Sequence, residues 1–300
     1  MRTGWSAADV PDLSGRVAVV TGGNRGLGRE VTRSLAGRGA RVIIACRDEA
    51  AGEAAAGALR ADGVAGPLEV RPLDLASLAS VEKFAAGLAS EPRLDVLANN
   101  AGLMAVDRGL TADGFETHIG VNHLGHFALT ARLLPLLLAT EGSRVVTMSS
   151  MGARLGHVDL NDLLWELRPY DRWQAYFQSK LANLLFALEL DRRLRAASAT
   201  TAALAAHPGG SRTSLGRNGR SLANRLVPLW YPFIQSASRG ALPFVRAATD
   251  PEAKGGEYYG PQLQIWGRAV RETPSRQARD PDLAALLWQQ SEELTGCRFP

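Results

Sequence analysis

RVAVVTGGNRGLGREVTRSLAGRGARVIIAC (residues 16–46) holds two apolar runs joined by a glycine-rich turn and a helical stretch. RVAVVTG (16–22) and ARVIIAC (40–46) are near-continuous apolar runs, as strands buried on both faces require. LGREVTRSLAGRG (27–39), between them, has helical spacing. Gly22, Gly26 and Gly28 stand where the first strand gives way to that helix. A turn there aims backbone N–H groups and a helix N-terminus at one point, which suits a pyrophosphate. Glycine allows the tight turn and the close approach of a ligand. The spacing is G-x-x-x-G-x-G rather than G-x-G-x-x-G, so the turn alone also reads as an ordinary strand–helix connection.

The same alternation continues outward. DEAAGEAAAGALRADG (48–63) reads as helix, GPLEVRPL (66–73) as strand, SLASVEKFAAGLAS (77–90) as helix and LDVLANN (94–100) as strand. A helical region over about 111–140 precedes the strand SRVVTMSS (143–150). WQAYFQSKLANLLFALELDRRLRAA (173–197) reads as a long amphipathic helix, TTAALAAHPG (200–209) as a sixth strand and GGEYYGP (255–261) as a short seventh. This order predicts an α/β fold: a Rossmann-type doubly wound parallel sheet of about seven strands with helices on both faces. Residues 1–14 read as an N-terminal arm and 15–300 as a single dinucleotide-binding and catalytic domain.

A net charge of +4 is spread along the chain, whereas nucleic-acid binding needs a clustered basic face. Two cysteines, Cys46 and Cys297, make neither a disulfide framework nor a metal site. The first residues have no apolar core of a signal peptide. FALTARLLPLLLAT (127–140) is too short to span a bilayer and contains Arg132 and Pro135. The expectation is a cytoplasmic protein with no membrane span. His118, His123 and His126 lack the carboxylate or cysteine pattern of a metal site, so packing roles are expected for them. His207 reads as a structural residue at a strand end. No G-x-S-x-G is present, which removes an α/β-hydrolase nucleophile.

At the end of the second strand, Cys46 and Arg47 occupy the place where such folds read the adenosine ribose. An acidic residue there would accept from a free 2′-hydroxyl. Arg47, with Arg25 from the glycine turn, would instead bracket a 2′-phosphate. NADP(H) is therefore the preferred cofactor, and NAD(H) stays open because Asp48 follows. Asp48 is itself well placed to cap the next helix.

TGGNRGLG (21–28), NNAG (99–102), YFQSK (176–180) and HPG (207–209), in this order, resemble the short-chain dehydrogenase/reductase family over nearly the whole chain. ACRD (45–48), VNHLGHF (121–127) and YFQSKLANLLF (176–186) look most like its retinol-dehydrogenase and protochlorophyllide-reductase-like branch. The resemblance implies a cofactor crevice lined by Gly22, Asn24, Arg25, Gly26, Leu27 and Gly28. It implies adenine contact at Asp74 and Leu75, and closure over the adenosine ribose by Asn99, Asn100, Ala101 and Gly102. Pro208, Gly209 and Thr213 resemble the segment that passes the nicotinamide. Asn122, Ser150, Tyr176 and Lys180 match the catalytic tetrad. Ser150 and Tyr176 are 26 residues apart, wider than in the shortest members, as in the named branch. Alternation puts Ser149 and Ser150 on opposite strand faces, and the family pattern favours Ser150.

Those residue types suit reduction of a carbonyl. A free phenol, with a pKa of about 10, is a sluggish acid–base group at neutral pH. Positions four apart share a helix face, so the Lys180 ammonium is expected to draw the Tyr176 pKa down. Lysine is also informative here because the chain has only Lys83, Lys180 and Lys254. Lys180 would in addition bind nicotinamide ribose hydroxyls, Ser150 would hold the substrate oxygen, and Asn122 would organise a water linking Lys180 to solvent.

The expected function is NADP(H)-dependent hydride transfer between nicotinamide and a lipophilic carbonyl/alcohol pair. Residues 210–240 read as a substrate lid, with Trp230, Tyr231 and Phe233 available to line it. A sugar-nucleotide epimerase or dehydratase would want glycine where Arg25 stands. A non-catalytic dinucleotide sensor would have a damaged tetrad. The helices over about 115–138 and 174–197 resemble those that pair subunits in the family, so a homodimer or homotetramer is expected.

Overall fold

The structure, a computed structural model, describes residues 5–210 and 235–299. The strands are β1 (Val17–Thr21), β2 (Arg41–Cys46), β3 (Leu68–Pro72), β4 (Val96–Asn99), β5 (Arg144–Met148), β6 (Ala202–Ala206), β7 (Tyr258–Pro261) and β8 (Ala269–Glu272). They form one sheet in the order β3-β2-β1-β4-β5-β6-β7-β8. All neighbours are parallel except β7 and β8. The chain leaves β1 in one direction through β2 and β3, then returns to β4 on the other side. That reversal opens a crevice at the C-terminal ends of β1 and β4.

The longer helices are α1 (Gly26–Ala36), α2 (Glu49–Ala61), α3 (Leu78–Ala86), α4 (Gly125–Leu138), α5 (Arg172–Ala196), α6 (Ala237–Thr249) and α7 (Pro281–Thr295). Side chains alternate across each strand, so β1 sends Ala18 and Val20 to one face and Val17 and Val19 to the other. The first face packs on α1, α2 and α6 through residues such as Leu35, Leu59 and Phe244. The second packs on α3, α4, α5 and α7 through Phe84, Phe127, Phe186 and Trp288. This is the doubly wound architecture that the strand–helix order predicts.

Three features depart from the expectation. β8 is an eighth strand, and it is antiparallel; its four residues, Ala-Val-Arg-Glu, carry no hydrophobic alternation to announce it. The helix expected from about residue 111 begins at Thr117, capped by Glu116, whose carboxylate accepts from the N–H groups of His118 and Ile119. A π-turn over Gly120–Leu124 then feeds α4. Finally, α5 is buried on nearly all sides rather than amphipathic. Its buried positions include Gln178, Ser179, Lys180, Asn183, Glu189 and Asp191. β5, β6 and the 151–171 stretch cover one part of α5, and α7 lies against another: Trp288 meets Phe127, Phe186 and Phe299 at centroid distances of 5.2, 5.7 and 4.4 Å.

Trp5 forms an antiparallel bridge with Ala269. Arg38 donates to the carbonyls of Ala7 and Ala8, so the residues after Trp5 lie against the body. Among the described residues, no helix is long and apolar enough to cross a membrane, and no group of three His, Cys, Asp or Glu residues could hold a metal.

Candidate functional site

A crevice of about 600 Å³ runs from the tip of β2 to the N-terminal part of α5. That volume lies in the range of small-molecule and cofactor sites. Its floor is the β1–α1 turn. Gly22 and Gly26 have φ of +64° and +53°, which only glycine adopts freely. Helices α2, α3, α5, α6 and α7 each begin with an Asp or Ser side chain that accepts from a first-turn N–H. Arg25 stands in that place on α1 and offers no acceptor, so the first N–H groups of α1 face the crevice without a side-chain cap. A methyl on Gly28 would sit 2.2 Å from the Gly22 carbonyl oxygen and 2.5 Å from Asn100 Nδ2. We expect Gly28→Ala to destabilise the protein by about 1–3 kcal/mol, read as a lower Tm in a thermal melt. An unchanged Tm would show that the turn can relax.

One end of the crevice is lined by Asn24, Arg25, Leu27, Arg47, Asp48, Asp74 and Leu75. The Asp48 carboxylate accepts from Ala51 N–H at 2.9 Å and so caps α2. Among the described residues, neither Arg25 nor Arg47 takes part in an ion pair. Asp74 accepts from Ala76 N–H at 3.0 Å, which folds the loop after β3 into the wall. Asn100, Ala101 and Gly102 line the crevice, whereas Asn99 lies behind it. The Asn99 side chain is fully buried and donates to Thr130 on α4. Thr21 Oγ1 accepts from the N–H groups of Asn100 and Ala101, tying this stretch to the end of β1.

At the other end lie Tyr176, Lys180 and Pro208, with Leu103, Leu110 and Val121 as apolar neighbours. Ser150 Oγ accepts from Gly152 N–H at 3.1 Å, which leaves its own proton for the Tyr176 oxygen. Of the two serines it is Ser149 that lines the crevice, its hydroxyl donating to the Lys180 carbonyl at 2.8 Å, whereas Ser150 stands beside the lining, against Tyr176. The Asn122 side chain lies beside the crevice rather than in its lining. Its Oδ1 accepts from Leu103 N–H, and its Nδ2 donates to Leu103 O and Ser179 Oγ. Asn122 lies within the π-turn over Gly120–Leu124. Gly209, at φ +61°, packs against the carbonyls of Gln264 and Ile265. Thr213, Trp230, Tyr231 and Phe233 lie outside the described residues, as does most of the 210–240 stretch.

The electrostatics differ from the sequence expectation. Burial pushes the Tyr176 hydroxyl up, and the hydrogen bond from Ser150 only partly offsets it. Burial also pushes the Lys180 ammonium down to about 8. The two groups share a face, but Lys180 Nζ is 5.9 Å from the Tyr176 ring centre and donates to Met148 O at 3.2 Å. Desolvation therefore outweighs their mutual attraction.

The histidines serve packing and hydrogen bonding. His123 reaches Ser291 of α7, and His126 lies between Asn122 O and Thr21 Oγ1. Burial holds both imidazoles far below their ordinary range, at about 3 and about 4. His118 was not legible as part of the site. It is fully buried, with Nδ1 2.9 Å from Glu116 Oε1 and 3.0 Å from Tyr170 Oη, and its ring meets the edge of Tyr176 at 6.3 Å. Tyr170 Oη also donates to Glu116 Oε1 at 2.9 Å. Burial raises the Glu116 carboxyl, but the hydrogen bonds from His118 and two backbone N–H groups more than reverse this. The segment between Ser150 and Tyr176 is thereby pinned to the start of the α4 region.

Residues 16–221 match the short chain dehydrogenase family model. The chain is 44% identical to human retinol dehydrogenase 12 over 290 residues, covering 96% of this chain and 88% of the relative. It is 39% identical to human retinol dehydrogenase 13 over 306 residues, covering 99% and 90%. Among solved structures, an uncharacterized protein from Mycobacterium paratuberculosis superposes with a TM-score of 0.85 at 48% identity, covering 99% of this chain and 100% of that one. A Pseudomonas aeruginosa RhlG/NADP active-site complex gives 0.64 at 26% identity, covering 82% and 94%.

Proposed function

Because this chain belongs to the short chain dehydrogenase family, and is on that ground a nicotinamide-dependent oxidoreductase of alcohol/carbonyl pairs, we propose that it uses NADP(H) on a lipophilic substrate, with Tyr176 as the acid–base group. The reading is carried by one observation: Tyr176 and Lys180 line the end of the crevice opposite Arg25 and Arg47, and the Ser150 hydroxyl hydrogen-bonds to Tyr176 from beside it. The residues present fit a dinucleotide. The uncapped start of α1 and the glycine turn suit its phosphates, and Gly102 lets the wall lie close to Asn122 and Lys180, where a methyl would fall 3.0 Å from Asn122 Oδ1 and 3.2 Å from Lys180 Nζ.

When bound, the cofactor exchanges hydride with the substrate carbon. Tyr176 delivers the proton to the substrate oxygen during reduction and takes it back during oxidation. Ser150, fixed by Gly152 N–H, donates a hydrogen bond to the same oxygen as charge develops there. Lys180, whose Nζ lies 5.9 Å from the Tyr176 ring centre, would hold the nicotinamide ribose hydroxyls. Asn122 fixes the Leu103 backbone, and so the wall on the substrate side. Asn99 acts from behind the wall, through α4.

Arg47 and Arg25 bind the 2′-phosphate in this reading, because Asp48 is occupied as the cap of α2. Removing one charge-assisted contact costs about 1.5–3 kcal/mol. Arg47→Ala should therefore weaken NADPH binding about tenfold or more and leave NADH nearly unchanged, as read by fluorescence titration. A wild-type protein that binds NADH more tightly than NADPH would refute this assignment.

Leu103, Leu110 and Val121 supply an apolar wall, with Leu110 59% exposed at the rim. We assign Pro208 and Gly209 to the stretch passing the nicotinamide; Thr213 and most of the 210–240 stretch lie outside the described residues. Residues 1–14 act as an arm on the single 15–300 domain. The two free, buried thiols fit a reducing, cytoplasmic setting. A homodimer or homotetramer belongs to the same proposal. With α7 laid over α5, contact on that side would fall on α7, whose Leu286 faces outward. The test of the whole reading is a panel of carbonyls and alcohols followed at the nicotinamide absorbance with both cofactors. No turnover of any lipophilic member would defeat it.

A further inference from the structure

We propose that Glu272, on the antiparallel strand β8, is a positioning residue that fixes the nicotinamide end of the crevice; this rests on the cofactor reading above. The carboxylate uses its two oxygens on two different segments. Oε1 lies 3.0 Å from His207 Nε2, and Oε2 lies 3.3 Å from Arg154 Nη2. His207 Nδ1 accepts from Gly209 N–H at 3.2 Å, which leaves Nε2–H to donate to Glu272. His207, Pro208 and Gly209 are therefore bent around one imidazole whose far side is anchored on β8. Pro208 lines the crevice. Arg154 belongs to the short turn Met151–Leu155, which Ser150 caps. One side chain thus spans the segment proposed to pass the nicotinamide and the turn that carries the Ser150 hydroxyl.

The surroundings are built for this pair. His207 is buried, and the Glu272 side chain nearly so. Gly260, on β7 between β6 and β8, lies next to both side chains. A methyl there would fall 2.0 Å from His207 Nε2 and 2.2 Å from Glu272 Oε1. Any larger residue at 260 would drive the pair apart. His207 N–H also donates to Tyr259 O at 2.9 Å, so the imidazole has one backbone placement from which to meet the carboxylate. A pair that only stapled β6 to β8 would affect stability and treat both ends of the crevice alike. A positioning pair affects the nicotinamide end selectively.

The experiment compares equilibrium binding of NADP⁺ with that of its adenosine fragment 2′,5′-ADP, by calorimetry on the full chain. The fragment reaches only the Arg25/Arg47 end. For Glu272→Ala, NADP⁺ affinity should fall about tenfold, as for loss of one partner of a buried charged hydrogen bond. The 2′,5′-ADP affinity should stay within about twofold of wild type on the same reasoning. Glu272→Gln keeps an acceptor oxygen for His207 and should restore most of the NADP⁺ affinity. If the alanine variant does not fold, Glu272→Met keeps the volume, removes both acceptors and carries the same comparison. Equal weakening of both ligands, or of neither, overturns the inference and leaves the cofactor reading standing. A wild-type protein that binds neither NADP⁺ nor NAD⁺ removes the cofactor reading and this inference with it.

Discussion

Tyr176→Phe should lower kcat by about 10²–10⁴-fold, the range for a lost general acid–base group, with the Kd for dinucleotide changed by only a few fold. The expectation comes from what phenylalanine keeps and what it removes. The ring stays among Trp173, Phe177 and His118, at centroid distances of 6.4, 5.8 and 6.3 Å. Only the hydroxyl is lost. Ser150 loses one acceptor but stays fixed by Gly152 N–H, so the turn should hold its shape. The crevice loses no floor contact, and the phosphate end is untouched. Steady-state rates and a fluorescence titration on the same sample separate the two quantities. A kcat within about threefold of wild type, against the expected range, would remove Tyr176 from the acid–base role.

Lys180→Met should abolish turnover and yet make the protein more stable at neutral pH. Lys180 is almost fully buried, and the one hydrogen bond of its ammonium among the described residues is to Met148 O. Met148 O keeps a donor without it, because Asn183 Nδ2 lies at 3.0 Å. Burial lowers the ammonium from 10.5 to about 8. Between those values the unfolded chain binds the proton and the native protein does not, so stability rises with pH across that window. Below about 8 the penalty of holding a buried charge is fully present, at about 3 kcal/mol. Methionine has a similar length and no charge, so denaturation at pH 7 should show a gain of about 1–3 kcal/mol. The wild-type rise in stability from pH 8 to 10 should shrink in the variant. A variant less stable than wild type at pH 7 would mean that Lys180 has attractive partners strong enough to offset its burial.

These two expectations mark how far the sequence could be read. The glycine turn, the strand runs and the Tyr176–Lys180 spacing were legible because each is local: a few adjacent residues carry the pattern. The antiparallel β8 was not, since Arg271 and Glu272 break any alternation in a strand of four residues. The Glu116–His118–Tyr170 knot joins residues more than fifty positions apart, and no spacing rule reports such a meeting. The sign of the Tyr176 perturbation was also out of reach. From sequence, a cation four residues away lowers a phenol pKa; in the fold, Lys180 Nζ turns to Met148 O and burial dominates. Buried polar residues on α5 misled in the same way, because what covers them comes from distant segments: Leu163 and Arg168 over Gln178, Asn122 over Ser179, Met148 over Lys180 and Asn183, and Ala203 over Asp191.

The knot at Tyr170 also governs how this scaffold can be re-engineered. Residues 151–171 fill the interval between Ser150 and the helix that carries Tyr176. Its last anchor is a phenol seated on Glu116 and His118, and Arg108 separately grips the Trp165 carbonyl. Chimaeras that swap 151–171 alone would take the Tyr170 hydroxyl from the buried Glu116 carboxylate and leave it with its donors from His118 and Ile119. A workable crossover has to carry residues 103–118 along, so the two stretches form one exchangeable cassette despite their distance in sequence.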